Sequence, residues 1–264
     1  QMGGDFLRSK SMDQDSYDAG DWFNFVDFTM QSNNFGVGLP LAEKNDANWK
    51  AIGNILTNPN AKPEPEDIQF ASAVFKEFLS IRAGSPLFRL ATAQDVFDRV
   101  GFHNIGKDQT PGLIVMSIDD GTGLTDLDPQ HDALVVMING TGQEQSHTIP
   151  TAAGFDLHPI QQASVDTNVT TASFSAGVDE GSFTVPAQTI AVFVKAQGAT
   201  QGAGLAADAT SGAPDIPPYE ATTIYVKGDM NGWGAVDAMT YDGEGIYSLT
   251  LPLAAGSYSF KVAD

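Results

Sequence analysis

Cysteine is absent from the 264 residues. Disulfide frameworks, thiolate metal sites and cysteine nucleophiles are therefore excluded, although the lack does not fix a compartment. Cations are scarce: 13 Lys and Arg stand against 33 Asp and Glu, for a net charge of −20. Between Asp108 and Val194 there is no Lys or Arg, while eleven carboxylates fall there. Nucleic acid or an anionic membrane surface would be repelled by that field, whereas a neutral ligand such as a sugar meets no such penalty. No apolar run reaches about 18 residues, so no membrane span is expected. HExxH and GxSxG are missing too, which removes two common hydrolase signatures. The opening Gln1-Met2-Gly3-Gly4-Asp5 has neither an initiator Met nor a signal-peptide pattern. A mature, tagged or trimmed chain is the expectation.

What is present changes character along the chain. Residues 1–60 are polar, Asn- and Asp-rich and weakly periodic, with scattered aromatics. So long an irregular stretch needs a larger scaffold beside it. Pro63-Glu64-Pro65-Glu66 then supplies a helix start. Ile68, Ala71, Val74, Phe75, Phe78 and Leu79 recur at three- and four-residue steps, and Gly84 and Pro86 stop the pattern, predicting a helix over 66–83. From residue 96 the period is strand-like. Leu113–Ile118, Ala133–Ile138, Phe183–Val185 and Thr189–Lys195 read as short strands of an antiparallel sandwich. Thirteen of the residues in 197–218 are Gly, Ala or Pro, which reads as a linker. Thr222–Val226, Ile246–Leu251 and Ser257–Val262 follow as three strands of a module too small to bury much.

Several motifs dissolve in context. Gly202-Ala203-Gly204-Leu205-Ala206-Ala207 matches a dinucleotide fingerprint but lies in the linker with no βαβ unit around it, so no cofactor is assigned. His103, His131, His147 and His158 read as surface or strand-end residues. Asp119, Asp120, Asp126 and Asp128 cluster between two strands. Grouped carboxylates suit a hard cation, but the spacing fits no EF-hand. Calcium stays open and unassigned, and a solvated Asp-rich turn is the expectation.

The informative stretch is GDFLRSKS (4–11) with SYDAGDWFN (16–24). It packs Arg, Lys, Asp, Asn, Ser, Tyr and Trp into a Gly-hinged loop. Carboxylates and amides take paired hydrogen bonds from neighbouring hydroxyls, and an aromatic face covers the C–H side of a sugar ring. The alternative is a loop that caps a larger fold.

Together with NNFGVGLP (33–40), EKNDANW (43–49), SPLFRLATAQD (85–95), RVGFHNIG (99–106), PGLIVMSIDD (111–120), DLHPIQ (156–161) and FTVPAQTIAVFV (183–194), these segments resemble the pullulanase and limit dextrinase family of debranching enzymes in the α-amylase superfamily. The resemblance covers about residues 1–195. It implies a mainly β chain: an antiparallel β-sandwich of the amylase C-terminal type, preceded by the last loop and helix of a (β/α)8 barrel. Residues 1–90 would be the barrel's end, 91–196 the sandwich, 197–219 the linker and 220–264 a partial, immunoglobulin-like β module similar to starch-binding modules.

The family cleaves α-1,6 branch links with an Asp nucleophile, a Glu acid and a second Asp carried on earlier barrel strands. The resemblance therefore implies no catalytic residue in this chain, which alone should be inactive. It implies Arg8, Asp18, Asp21 and Trp22 as glucan-contacting or loop-bracing groups. Separately, IYVKGDMNGWG (224–234) and GEGIYSLTLPLAAGSYSFKV (243–262) resemble the opening half of starch-binding β-sandwich modules, which implies Trp233 as a stacking residue. Partners would be α-glucans (pullulan, amylopectin, glycogen) and the remainder of a parent chain, with a secreted or cell-surface location. A non-catalytic α-glucan-binding or scaffold protein is the alternative.

Overall fold

The computed structural model describes residues 2–17, 19–106, 109–205, 217, 219, 222–243 and 245–264. The chain divides into two compact units, Gln1–Ala91 with Leu157–Ala172, and Thr92–Asp156 with Ser173–Asp264.

The first unit is a scaffold of short helices. Helices α1 (Asp21–Asn24), α2 (Ala42–Asn45) and α3 (Trp49–Leu56) interrupt the stretch expected to be irregular. Helix α4 (Pro65–Gly84) agrees with the predicted span to within a residue at each end. Pro65 opens it, and the Asp67 carboxylate accepts the Glu64 amide at 2.9 Å, half of a reciprocal cap. The helix packs on the turns Gly4–Phe6 and Pro86–Arg89. Its buried positions are Ile68, Ser72 and Ile81, whereas Phe70, Phe75 and Leu79 are about half exposed. The expected apolar face is thus only partly covered. Later in the chain, α6 (Pro159–Gln162) returns to this unit, where Glu77 accepts from the Ser164 hydroxyl at 2.6 Å and the Val165 amide at 3.0 Å.

One loop of this unit is organised by a single carboxylate. Asp27 accepts from the Thr29 amide at 2.8 Å and the Thr29 hydroxyl at 2.5 Å, and from the Ser32 amide at 2.9 Å and hydroxyl at 3.1 Å. These bonds, the Thr29 hydroxyl first, hold its pKa down to about 2.

The second unit opens with α5 (Ala93–Arg99), whose cap is Thr92 accepting from the Asp95 amide at 3.0 Å. Strands β1 (Val100–Phe102), β2 (Leu113–Asp119), β3 (His131–Asn139), β4 (Gln145–Pro150), β5 (Phe155–Leu157), β6 (Ser173–Ala176), β7 (Glu180–Val185) and β8 (Thr189–Ala196) form two sheets. One has the order β1-β2-β3-β8-β5 and the other β4-β7-β6. The strands read from the sequence are β2, β3, β7 and β8. These are the apolar central strands, where Val115, Leu134, Val135, Met137, Phe183 and Phe193 have almost no exposure. The polar edge strand β4 buries only Ile149 and carried no apolar signal. Four rings close the core. Phe183 lies 5.2 Å from Phe155, 4.8 Å from Phe174 and 5.0 Å from Phe193, mostly tilted or edge-on.

The tail adds β9 (Tyr225–Gly228), β10 (Asp237–Ala238), β11 (Thr240–Gly243), β12 (Ile246–Ser248) and β13 (Phe260–Ala263). Strand β9 is central to the order β10-β9-β13, and β11 pairs with β12. Ile246, Phe260 and Val262 stay more than half exposed.

Two outcomes follow. Phe183→Ala should destabilise the sandwich by about 3–5 kcal/mol in denaturant titration, because four packed rings cannot collapse into the space. The Asp27 loop gains its stabilisation above the unfolded carboxylate pKa and should lose it as pH falls from about 4 to about 2. Amide exchange at Thr29 and Ser32 should accelerate across that window, and Asp27→Asn should flatten the response.

Candidate functional site

Among the described residues of 2–45 no long helix or strand occurs, so side chains must satisfy much of the backbone. Arg8 spends its guanidinium on three carbonyls: Asn24 O at 2.6 Å, Phe25 O at 3.3 Å and Met2 O at 3.3 Å. The Asn24 amide nitrogen donates to Ser16 O at 2.8 Å and Gly20 O at 3.0 Å, while its carbonyl accepts from Lys10 Nζ at 3.1 Å. Asn34 donates to Trp22 O at 3.0 Å, and Asn33 to Leu7 O at 2.7 Å. Buried Asn45 accepts the Gln14 amide at 2.9 Å and donates to Asp13 at 2.8 Å. None of Lys10, Asn24, Asn33, Asn34 and Asn45 was singled out from the sequence. Their spacing has no period, because each serves partners particular to its own place in the fold.

This bracing leaves aromatic side chains outside. Tyr17 is 93% exposed and Trp22 62%. Asp21 and Trp22 open α1, and both are exposed. Asp18 lies outside the described residues. An open depression of about 640 Å³ is lined by Lys10, Asp13, Asp15, Ser16, Tyr17 and Asn24 among others. Asp15 is held below the usual carboxylate range, first by its hydrogen bond from Lys44 at 2.9 Å. The structure thus draws Arg8 to the end of α1, beside Asp21 and Trp22 in sequence.

Trp233 belongs to the second unit. It follows Gly232 in a turn where its own φ is 65°, a left-handed conformation costing a non-glycine residue about 1–2 kcal/mol. Its amide donates to Gly228 O at 2.9 Å, and its indole N–H to Asp229 Oδ1 at 3.2 Å. Asp229 Oδ2 also accepts the Ser259 amide at 2.8 Å. The indole is 48% exposed.

The aspartate cluster is not the solvated turn expected of it. Asp120 and Asp128 are buried. Asp120 pairs with the buried Arg99 and accepts the Leu127 amide at 3.0 Å and the Asp128 amide at 2.7 Å. Arg99 also donates to Thr125 O at 2.7 Å and Asp119 O at 3.2 Å. Burial pushes the Asp119 and Asp120 carboxyls up, while amide bonds and Arg99 pull them back. Asp128 Oδ2 meets His131 Nδ1 at 2.8 Å. Removing Arg99 alone would strand a buried charge, at a cost of about 3–5 kcal/mol. Among the described residues no three His, Asp or Glu side chains are placed to share a metal ion.

The glycine motif has its own explanation. Residues 197–205 lie along the sandwich. Gly202 N donates to Asp132 at 2.8 Å, Leu205 N to Asp119 at 3.0 Å, and the Gln201 side chain to Asp120 O at 2.7 Å. A Cβ on Gly204 would sit 1.7 Å from Asp119 Oδ1, and one on Gly202 2.6 Å from Asp132 Oδ2. Close backbone approach requires these glycines, with no phosphate involved. Residues 206–216 lie outside the described residues.

The four histidines are half-buried. His103 meets Ser117 Oγ at 2.8 Å, His158 caps α6, and burial lowers the His147 pKa.

Comparison with known proteins fits this geometry. The family described as alpha-1,6-glucosidases, pullulanase-type, C-terminal, matches residues 30–196. The chain is 43% identical over 201 residues to pullulanase 1, chloroplastic, of Arabidopsis thaliana, covering 74% of this chain and 21% of that protein. It is 39% identical over 208 residues to the pullulanase of Klebsiella pneumoniae, covering 78% and 19%. The crystal structure of the maltotriose complex of PulA from Klebsiella pneumoniae aligns with a TM-score of 0.67 at 37% identity, over 78% of this chain and 22% of that one. The chain spans about a fifth of the length of the curated relatives it matches. Its mainly antiparallel β architecture and the family pattern over 30–196 establish that this chain belongs to the pullulanase-type α-1,6-glucosidases, as their C-terminal part.

Proposed function

We propose that this chain serves an enzyme hydrolysing α-1,6 branch links of pullulan, starch or glycogen, and contributes a cleft-rim loop and a structural β domain rather than the catalytic carboxylates. The observation that carries the reading is the match to pullulanases at 35–43% identity over most of the chain. In this reading residues 1–90 close a (β/α)8 barrel, 91–196 form the sandwich, 197–219 connect, and 220–264 belong to a starch-binding-like module. The resemblance to limit dextrinases extends the same substrate class.

The site residues divide by what their polar groups already do. Arg8 braces the loop, since three carbonyls occupy its donors. Trp22 presents an exposed indole for stacking on a sugar ring, with Asp21, and Asp18 beyond the described residues, as hydroxyl acceptors. Trp233 is a second platform, and its strained, hydrogen-bonded turn supports a binding role. The ligand is a neutral α-glucan, consistent with a surface so poor in cations. A secreted or cell-surface location suits an enzyme working on a polymer.

Two measurements test this. Reducing-end release from pullulan should stay at background with this chain alone, and sustained release would contradict the assignment of the catalytic acids elsewhere. Migration of the chain in amylopectin-containing native gels should be retarded, with Trp233→Ala reducing the retardation several-fold, while unchanged migration would remove Trp233 from the site.

A further inference from the structure

The backbone leading into Tyr17 is bonded at Asp15, Ser16 and the Tyr17 amide, yet the ring itself faces solvent. Asp15 accepts from Lys44 Nζ at 2.9 Å and from the Tyr17 amide at 3.2 Å. The Ser16 hydroxyl takes a short hydrogen bond from Lys10 Nζ, and the Ser16 carbonyl accepts from Asn24 at 2.8 Å. Lys10 Nζ also reaches Asn24 Oδ1 at 3.1 Å, so one ammonium ties Ser16 to the end of α1. Five polar side chains thus brace a stretch of backbone that ends in a ring 93% exposed. That ring walls the depression of about 640 Å³, whose other lining groups are hydroxyl, amide, ammonium and carboxylate. An exposed aromatic beside polar groups can cover the C–H face of a neutral polyol, and the bonded backbone beneath it lowers the entropic cost of ordering the loop.

We infer that Tyr17 is a further α-glucan-stacking residue, and that Lys10 is the positioning residue that presents it. This rests on the cleft-rim reading above and extends it to residues that reading does not use. Lys10 needs no contact with sugar: its role is to hold Ser16 against Asn24.

The test is isothermal titration of the full chain with maltotetraose, in a Trp233→Ala background so that the tail contributes nothing. Tyr17→Ala should weaken binding roughly 3–10-fold, the range expected for one stacked ring, and Tyr17→Phe should bind like the parent. Lys10→Ala should weaken binding comparably without lowering the thermal midpoint, and Lys10→Arg should restore it. If the parent binds and Tyr17→Ala binds equally well, the inference falls while the cleft-rim reading stands. Equal losses in Tyr17→Ala and Tyr17→Phe would overturn stacking in favour of a hydroxyl contact. Failure of the parent to bind at millimolar maltotetraose would overturn the inference, while the cleft-rim reading, which rests on the match to pullulanases, would stand.

Discussion

A backbone with only single-turn helices must still find partners for its other amides and carbonyls, and among the described residues of 2–45 it finds many of them in side chains. Arg8, Asn24, Asn33, Asn34 and Asn45 do this work. Each such bond contributes only about 1 kcal/mol net, yet leaving a buried group unpaired costs more. The network is therefore a constraint more than a source of stability: it selects one loop conformation. Everything read as functional in the first unit, from the polar depression to the exposed Tyr17 and Trp22, depends on that selection.

The second unit is stabilised differently. Its core is apolar, with Phe183 packed on three other rings and β3 buried on both faces over most of its length. The buried Arg99–Asp120 pair sits at the sandwich margin, where amide donors and carbonyl acceptors complete its hydrogen bonds. Such pairs contribute little net stability but tolerate no mismatch. Beside it, the stretch 197–205 is seated by Asp119 and Asp132, two more carboxylates of the same cluster. Asp119, Asp120, Asp128 and Asp132, four of the carboxylates in the cation-free stretch, are internal connectors rather than solvated charge.

How much of this was legible in the sequence depends on whether the responsible interaction is periodic. Strands β2, β3 and β8 were visible because each is a continuous apolar run at the centre of the sheet, with β3 covered on both faces over most of its length. Helix α4 was visible because prolines and carboxylates mark its start and Gly84 its end. Strand β4 was not, because Gln145, Ser146 and His147 look like loop. The Asp120 environment was hidden because its partner Arg99 lies 21 positions away. Gly202 and Gly204 read as linker because composition cannot separate flexibility from close approach. In the loop, the residue types were recognised as a sugar-binding set, but Arg8 is bonded to backbone. Lys10 and Asn24, which hold the loop closed, left no signal beyond being polar.

Hydrogen–deuterium exchange across residues 8–45 measures the loop's fixation directly. Protection is expected at the Ser9, Ser11 and Gln14 amides, which donate to Asn33 O, Ser9 Oγ and Asn45 Oδ1, at levels near those of α3 although none of the three lies in a helix or strand. Exchange at unstructured-chain rates throughout that stretch, with the sandwich still protected, would contradict a preorganised site.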